Sequence, residues 1–134
     1  MTEAVLKGIL VKLLRTEIPS AVVFRHEDRL SHGHPDISFT CNRKTTWIEV
    51  KFANPDFVSK GIQELTMLRL DLVGSAIYVV YSQTEEGLKY TYIVYPREIG
   101  EPTGQWRIPP FGGFAHKSVC NYLQELHNVN NYRS

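Results

Sequence analysis

Cysteine is scarce in this chain, long apolar runs are missing and charge of either sign is not in large excess. Two cysteines among 134 residues, Cys41 and Cys120, are too few for a disulfide framework or a four-thiolate metal site. Cys41 falls in a strand-like run and Cys120 in a helix-like one, where a small buried thiol is the expected state, and a reducing intracellular compartment fits. No apolar run reaches the roughly 20 residues of a membrane helix, so no membrane partner is expected. The start, Met1-Thr2-Glu3, has no basic stretch leading into a short apolar run, so no secretory signal is expected. The formal net charge is only +1. If the protein binds phosphate chains, its positive charge must be arranged locally rather than in bulk.

What is present is an ordinary globular composition, 43% hydrophobic and 22% charged, at a length typical of one domain. A chain of that size buries roughly two-thirds of the surface its unfolded form exposes.

The order of elements follows from periodicity. Val5, Leu6, Ile9, Leu10, Leu13 and Leu14 recur at helical spacing, predicting an amphipathic helix over 3–15 that ends at Ile18-Pro19-Ser20. Ala21 to Phe24 reads as a short strand, and Ser31-His32-Gly33-His34-Pro35 as a loop. Asp36 to Cys41 carries apolar residues at odd positions, and Trp47 to Phe52 at even ones. Each is the period-2 pattern of a strand with one buried face. Asn42-Arg43-Lys44-Thr45 between them is a natural hairpin loop. Asn54-Pro55-Asp56 is a turn in which Asp56 can cap the next helix, marked by Ile62, Leu65, Leu68, Arg69 and Leu72 and running to about Gly74. Ala76 to Tyr81 is apolar enough to be a central strand covered on both faces. Glu85-Glu86-Gly87 turns into a strand over Tyr90 to Tyr95. Residues 96–114 read as irregular, and Val119, Tyr122, Leu123 and Leu126 predict a last helix. This order implies an α/β domain with helices packed on a central sheet.

The hairpin has a chemical consequence. With 42–45 as the loop, Cys41 pairs with Thr46, Asp36 lies opposite Lys51, and Ser38 opposite Glu49. Asp36 and Glu49 are then diagonal neighbours on one face, about 7–8 Å apart at the backbone. Ile37, Phe39, Ile48 and Val50 take the other face and pack on a helix, so the charged face is expected to be open. Two such carboxylates can share a divalent cation at about 2.0–2.1 Å from each oxygen. A cation there polarises a phosphodiester and makes a hydroxide nucleophile accessible near neutral pH. A neighbouring lysine can hold that water or neutralise charge developing on the phosphate.

Pro35-Asp36, twelve residues, then Glu49-Val50-Lys51 resembles the PD-(D/E)XK nuclease motif. Gly33-His34-Pro35-Asp36-Ile37 with Ile48-Glu49-Val50-Lys51, and then Ser59 and Gln63, is similar to the VRR-NUC group and its Holliday-junction-resolvase relatives. The resemblance covers roughly residues 3–80. It implies a restriction-endonuclease-like fold, a central mixed β-sheet flanked by helices, in a single nuclease domain over 1–134. The strand, irregular loop and helix at about 88–128 would follow the motif core.

The same resemblance implies that Asp36 and Glu49 bind Mg²⁺, with Mn²⁺ as a substitute, and that the Val50 carbonyl is a ligand. It makes Lys51 catalytic, with Glu3 on the first helix supporting the metal and Gln63 facing the site. The partner it implies is DNA, branched or flapped. A homodimer and a cytoplasmic or DNA-associated place follow by analogy. The alternatives are a restriction or repair nuclease on linear or single-stranded nucleic acid, and a non-catalytic nucleic-acid-binding module on the same scaffold.

Arg25, Arg43, Lys44 and Lys60 are the candidates for phosphate contact, with Arg43 and Lys44 at the hairpin tip; Arg29 and Arg69 also flank the site in sequence. Trp106, Phe111 and Phe114 offer stacking surfaces for unpaired bases, or core or dimer contacts. His32 and His34 make a weak zinc pair and fit an exposed loop better, from which either can touch a phosphate or serve as an additional metal ligand.

Overall fold

The computed structural model describes residues 1–26, 34–54 and 62–129, with the backbone alone at 62–64. The first helix, α1 (Glu3–Glu17), starts where the Thr2 hydroxyl accepts the Val5 amide at 3.2 Å, with Glu3 favourably placed in the first turn. Leu6, Leu10, Val11 and Leu14 form its buried stripe, while Val5 and Ile9 turn outward. The apolar stripe is therefore narrower than the sequence pattern predicts. Removing a fully buried leucine such as Leu10 would cost about 2–5 kcal/mol.

Strands β1 (Val22–Arg25), β2 (Ile37–Cys41) and β3 (Lys44–Phe52) follow, then helix α2 (Ile62–Val73) and strands β4 (Ser75–Gln83) and β5 (Lys89–Val94). Two 3₁₀ turns, Pro96–Glu98 and Thr103–Gln105, precede a two-residue strand β6 (Phe111–Gly112) and helix α3 (His116–Leu126). The six strands form one sheet in sequence order. Among the described residues only the β3–β4 pair is parallel, and α2 lies in the connection between them, as a parallel pair requires. The architecture is α/β, a central mixed sheet flanked by helices. Among the described residues, no helix is long and apolar enough to cross a membrane.

The turn between β2 and β3 departs from the expected four-residue loop. Cys41 pairs with Lys44, and Asn42 and Arg43 alone make the connection, with φ of 53° and 64°. Positive φ at both central residues matches the twist of a two-residue hairpin, and asparagine tolerates that region better than most residues. β3 consequently begins at Lys44, and its pairing with β2 is shifted by two residues from the expected register.

Both sheet faces are covered. Ile37, Phe39, Cys41, Ile48, Val50, Ile77, Val79 and Tyr81 pack against α1 and α3. Met67, Ala76, Tyr78, Val80, Val94, Ile99 and Trp106 form a second core on the opposite face, beneath α2 and the segment after β5. Ala76 to Ser82 is buried throughout, as a central strand should be. Trp106 belongs to this core, its indole N–H donating to the Glu98 and Glu101 carbonyls at 2.9 and 3.1 Å. Phe114 packs edge-on against Phe52 and Tyr81. Neither ring is a free stacking platform. Cys41 and Cys120 are buried free thiols, and burial pushes that of Cys120 up to about 11.

Candidate active site

The polar residues of β2 and β3 meet where β2 begins and β3 nears its end. Ile37 pairs with Ile48, so one step further along the ladder Asp36 stands level with Glu49. Directly opposed residues lie about 4.5–5.5 Å apart at Cα, closer than the expected diagonal. A register shift of two leaves every side chain on its own face, which is why the carboxylates still converge.

Asp36 is held on two sides. Its Oδ2 accepts the Val50 amide at 2.8 Å, and its Oδ1 receives Lys7 Nζ at 2.7 Å. The N–H and C=O of one strand residue point to the same side. The Val50 carbonyl is therefore also turned toward Asp36, beyond the start of β2. The backbone of β1 closes the same corner: the His26 amide donates to the Asp36 carbonyl at 2.7 Å.

Glu49 is the unusual member. Its side chain is 2% exposed, with Lys51 Nζ 3.4 Å from Oε2 and, among the described residues, no hydrogen-bond partner at Oε1. Burial and then the negative charge of Asp36 raise its carboxyl to about 8, against the opposing pull of Lys51. The expectation of an open face at this point is corrected: the core under α2 extends from Trp47, Tyr78 and Val80, the last two pairing with Glu49 and Lys51. A buried carboxylate with an unsatisfied oxygen beside a second carboxylate is short of donors even with Lys7 and Lys51 at hand, and a small hard cation is what such a donor set suits. The residues present therefore fit a divalent ion held by Asp36 and Glu49, with the Val50 carbonyl beside them.

Glu3 lies at this end of the sheet, as the sequence leads one to expect. Its Oε1 accepts the Phe52 amide at 3.0 Å, fixing α1 to the end of β3. Among the described residues, no three of His, Cys, Asp or Glu are grouped to hold an ion. Gln63 belongs to the first turn of α2, and nothing is described of its side chain. Lys60, Ser59, Asp56, Arg29, His32 and Gly33 lie outside the described residues, and His34 is exposed.

Arg25 is at the site end of β1, paired with Ile37. Arg43 and Lys44 lie at the hairpin tip, where the sequence places them. They cap the far end of the β2–β3 hairpin, seven residues or about 23 Å of strand from Asp36 for Arg43. There Lys44 Nζ donates to the Leu126 carbonyl at 3.4 Å, and Asn42 to the His127 carbonyl at 2.6 Å.

Two contributors were hidden in the sequence. Lys7 follows Glu3 by four residues and so shares its helix face; that spacing is the signal that points to it. His26 had no such pattern. Its Nε2 lies 2.9 Å from the Ser38 hydroxyl and its ring centroid 5.7 Å from that of Trp47, contacts created by pairing of distant strands.

No family model matches the chain, and no curated protein matches it in sequence. Among solved structures it is similar to Hjc of Archaeoglobus fulgidus, a Holliday junction resolvase from an archaeal hyperthermophile. That likeness covers 65% of this chain and 74% of the other, at 16% sequence identity and a TM-score of 0.38. The site rests on its own residues, not on this likeness.

Proposed function

We propose that the chain is a divalent-metal-dependent endonuclease of the PD-(D/E)XK kind that hydrolyses phosphodiester bonds in DNA, with branched or flapped DNA as substrate. The observation that carries this reading is Glu49: a buried carboxylate level with Asp36, one oxygen unsatisfied and its proton affinity raised. An acidic pair kept in this state costs stability unless a cation joins it.

Asp36, Glu49 and the Val50 carbonyl would hold Mg²⁺, or Mn²⁺ in its place. When bound, such an ion supplies Lewis-acid polarisation of the phosphate and a water of lowered pKa. Lys51, which leans on Glu49 in the structure, orients the attacking water or neutralises a non-bridging phosphate oxygen. Gln63 supplies a supporting contact from α2, and Glu3 keeps Lys51 in place through its bond to the next amide. Lys7 and Lys51 offset the charges of Asp36 and Glu49, which reduces repulsion toward a polyanion. Cutting both strands at a branch calls for a second copy of the chain.

Alanine at Asp36 or at Glu49 is expected to abolish cleavage while the circular dichroism spectrum stays unchanged. Full activity in both variants would overturn the reading.

One observation favours a second reading. Lys7 already neutralises Asp36 at 2.7 Å, as in a scaffold that binds nucleic acid without metal and without cutting. Binding of DNA in EDTA, unchanged by Mg²⁺ and never followed by cleavage, would select it.

A further inference from the structure

Away from the acidic pair, the outer side of α1 and the edge strand β1 enclose a groove of about 290 Å³ lined by Gly8, Val11, Lys12, Arg15, Thr16 and Arg25. Among the described lining residues, three are basic and none is acidic. In a chain of net charge +1, that is the local concentration of positive charge a phosphate chain requires.

The groove is built rather than incidental. Arg15 donates from Nε and Nη2 to the Val23 carbonyl at 3.2 and 2.8 Å, and Arg25 donates from Nη2 to the Ala4 carbonyl at 3.4 Å. Both guanidinium groups are thus tied to backbone, which lowers the entropy lost when they meet a ligand. Gly8 gives an independent indication. Glycine inside a helix is unfavourable relative to alanine, yet a Cβ at position 8 would stand 3.3 Å from Arg25 Nη1. The small residue leaves room for the arginine head.

The groove also leads to the right place. Arg25 pairs with Ile37, next to Asp36. Lys7, bound to Asp36, precedes Lys12 by five residues and Arg15 by eight, about 7.5 and 12 Å along the helix axis. At about 3.4 Å per nucleotide along one strand, that length accommodates three to four nucleotides running from the acidic pair.

We infer that the α1–β1 groove is the track for the DNA backbone, with Lys12, Arg15 and Arg25 contacting successive phosphates of one strand. This rests on the nuclease reading for its ligand and replaces Arg43 and Lys44 as the phosphate-contacting residues.

The test is the salt dependence of binding to a short labelled duplex in EDTA, so that nothing is cut. Each lost phosphate contact lowers the slope of log affinity against log salt by about 0.9. Lys12→Ala is therefore expected to flatten the slope by about one, and to narrow the affinity loss between 50 and 200 mM salt by about three- to fourfold. Lys12 is exposed, so this variant keeps its fold, and Arg25→Ala should act in the same direction. Arg43→Ala with Lys44→Ala is the control and should leave the slope unchanged.

An unchanged slope in Lys12→Ala, a loss of slope in the hairpin-tip control equal to it, or no binding of DNA at all would overturn the inference. Cleavage with Mg²⁺ is scored separately. Flattened slopes in a protein that never cuts would leave the track standing and remove the nuclease reading. Cutting with an unchanged slope would do the reverse.

Discussion

Lys7 Nζ lies 2.7 Å from Asp36 Oδ1, while the other Asp36 oxygen accepts the Val50 amide at 2.8 Å. The Asp36 carboxylate is thereby neutralised from a helix, while among the described residues Oε1 of its neighbour Glu49 has no hydrogen-bond partner. A divalent ion entering this site competes with the ammonium for Asp36.

Lys7→Met removes that competitor. The metal-free protein is expected to lose about 1–3 kcal/mol, the cost of leaving a partly buried charged group without its partner. Mg²⁺ or Mn²⁺ should bind more tightly and restore the loss. Calorimetric titration with Mn²⁺ and melting with and without Mg²⁺ read both effects. A variant with weaker ion affinity than wild type would show that Lys7 supports the ion instead of displacing it.

Glu49 makes the metal-free protein sensitive to alkali. Its carboxyl is raised from 4.5 to about 8 by burial and by Asp36, so the folded state holds its proton more tightly than the unfolded chain does. The stability this contributes is complete below about pH 4.5 and is lost as pH rises through about 8. In EDTA the melting temperature should therefore fall from pH 5 to 8.5 more steeply in wild type than in Glu49→Gln. Equal slopes in the two proteins would remove the argument.

His127 acts in the opposite direction. It is buried, with Nε2 2.7 Å from the Thr46 hydroxyl and Nδ1 2.9 Å from the Cys41 carbonyl. Burial lowers its pKa from 6.5, so the unfolded chain takes up the proton first. Its contribution is present above about pH 6.5 and is lost as pH falls below that value. His127→Ala is expected to cost about 2–4 kcal/mol at pH 7.5 and less at pH 5. Denaturant titration at the two pH values checks the sign.

The β2–β3 turn gives a prediction free of the site. Arg43 sits at φ 64°, in the left-handed region that glycine enters without steric cost. Arg43→Gly should stabilise the fold by about 0.5–1 kcal/mol and leave cleavage unaltered, measured by melting and by turnover. Reduced turnover would bring the hairpin tip back into the DNA interface.

The site was legible where two-residue periodicity alone decides. Alternation in 36–41 and 47–52 puts Asp36, Glu49 and Lys51 on one face whatever the register, because a shift of two preserves parity. The register itself was not legible. Asn42-Arg43-Lys44-Thr45 reads equally well as a four-residue loop, and only the left-handed backbone at Asn42 and Arg43 shortens it to two. Helix α1 was legible as an element, but the angle at which it delivers Lys7 to Asp36 depends on packing across the sheet. The burial of Glu49 escaped for the same reason: α2 covers a face that local pattern marks as polar. β6 is two residues long, below any periodicity, and exists because Phe111 and Gly112 pair with Thr91 and Tyr90.

The most direct test is cleavage of labelled four-way-junction, flap and linear DNA by wild type and Lys51→Ala, each with Mg²⁺, Mn²⁺ or EDTA. The account predicts cutting by wild type with either metal, most on branched DNA, none in EDTA, and a loss of at least about a hundredfold in Lys51→Ala. Cutting that persists in EDTA, or that survives undiminished in Lys51→Ala, would contradict it.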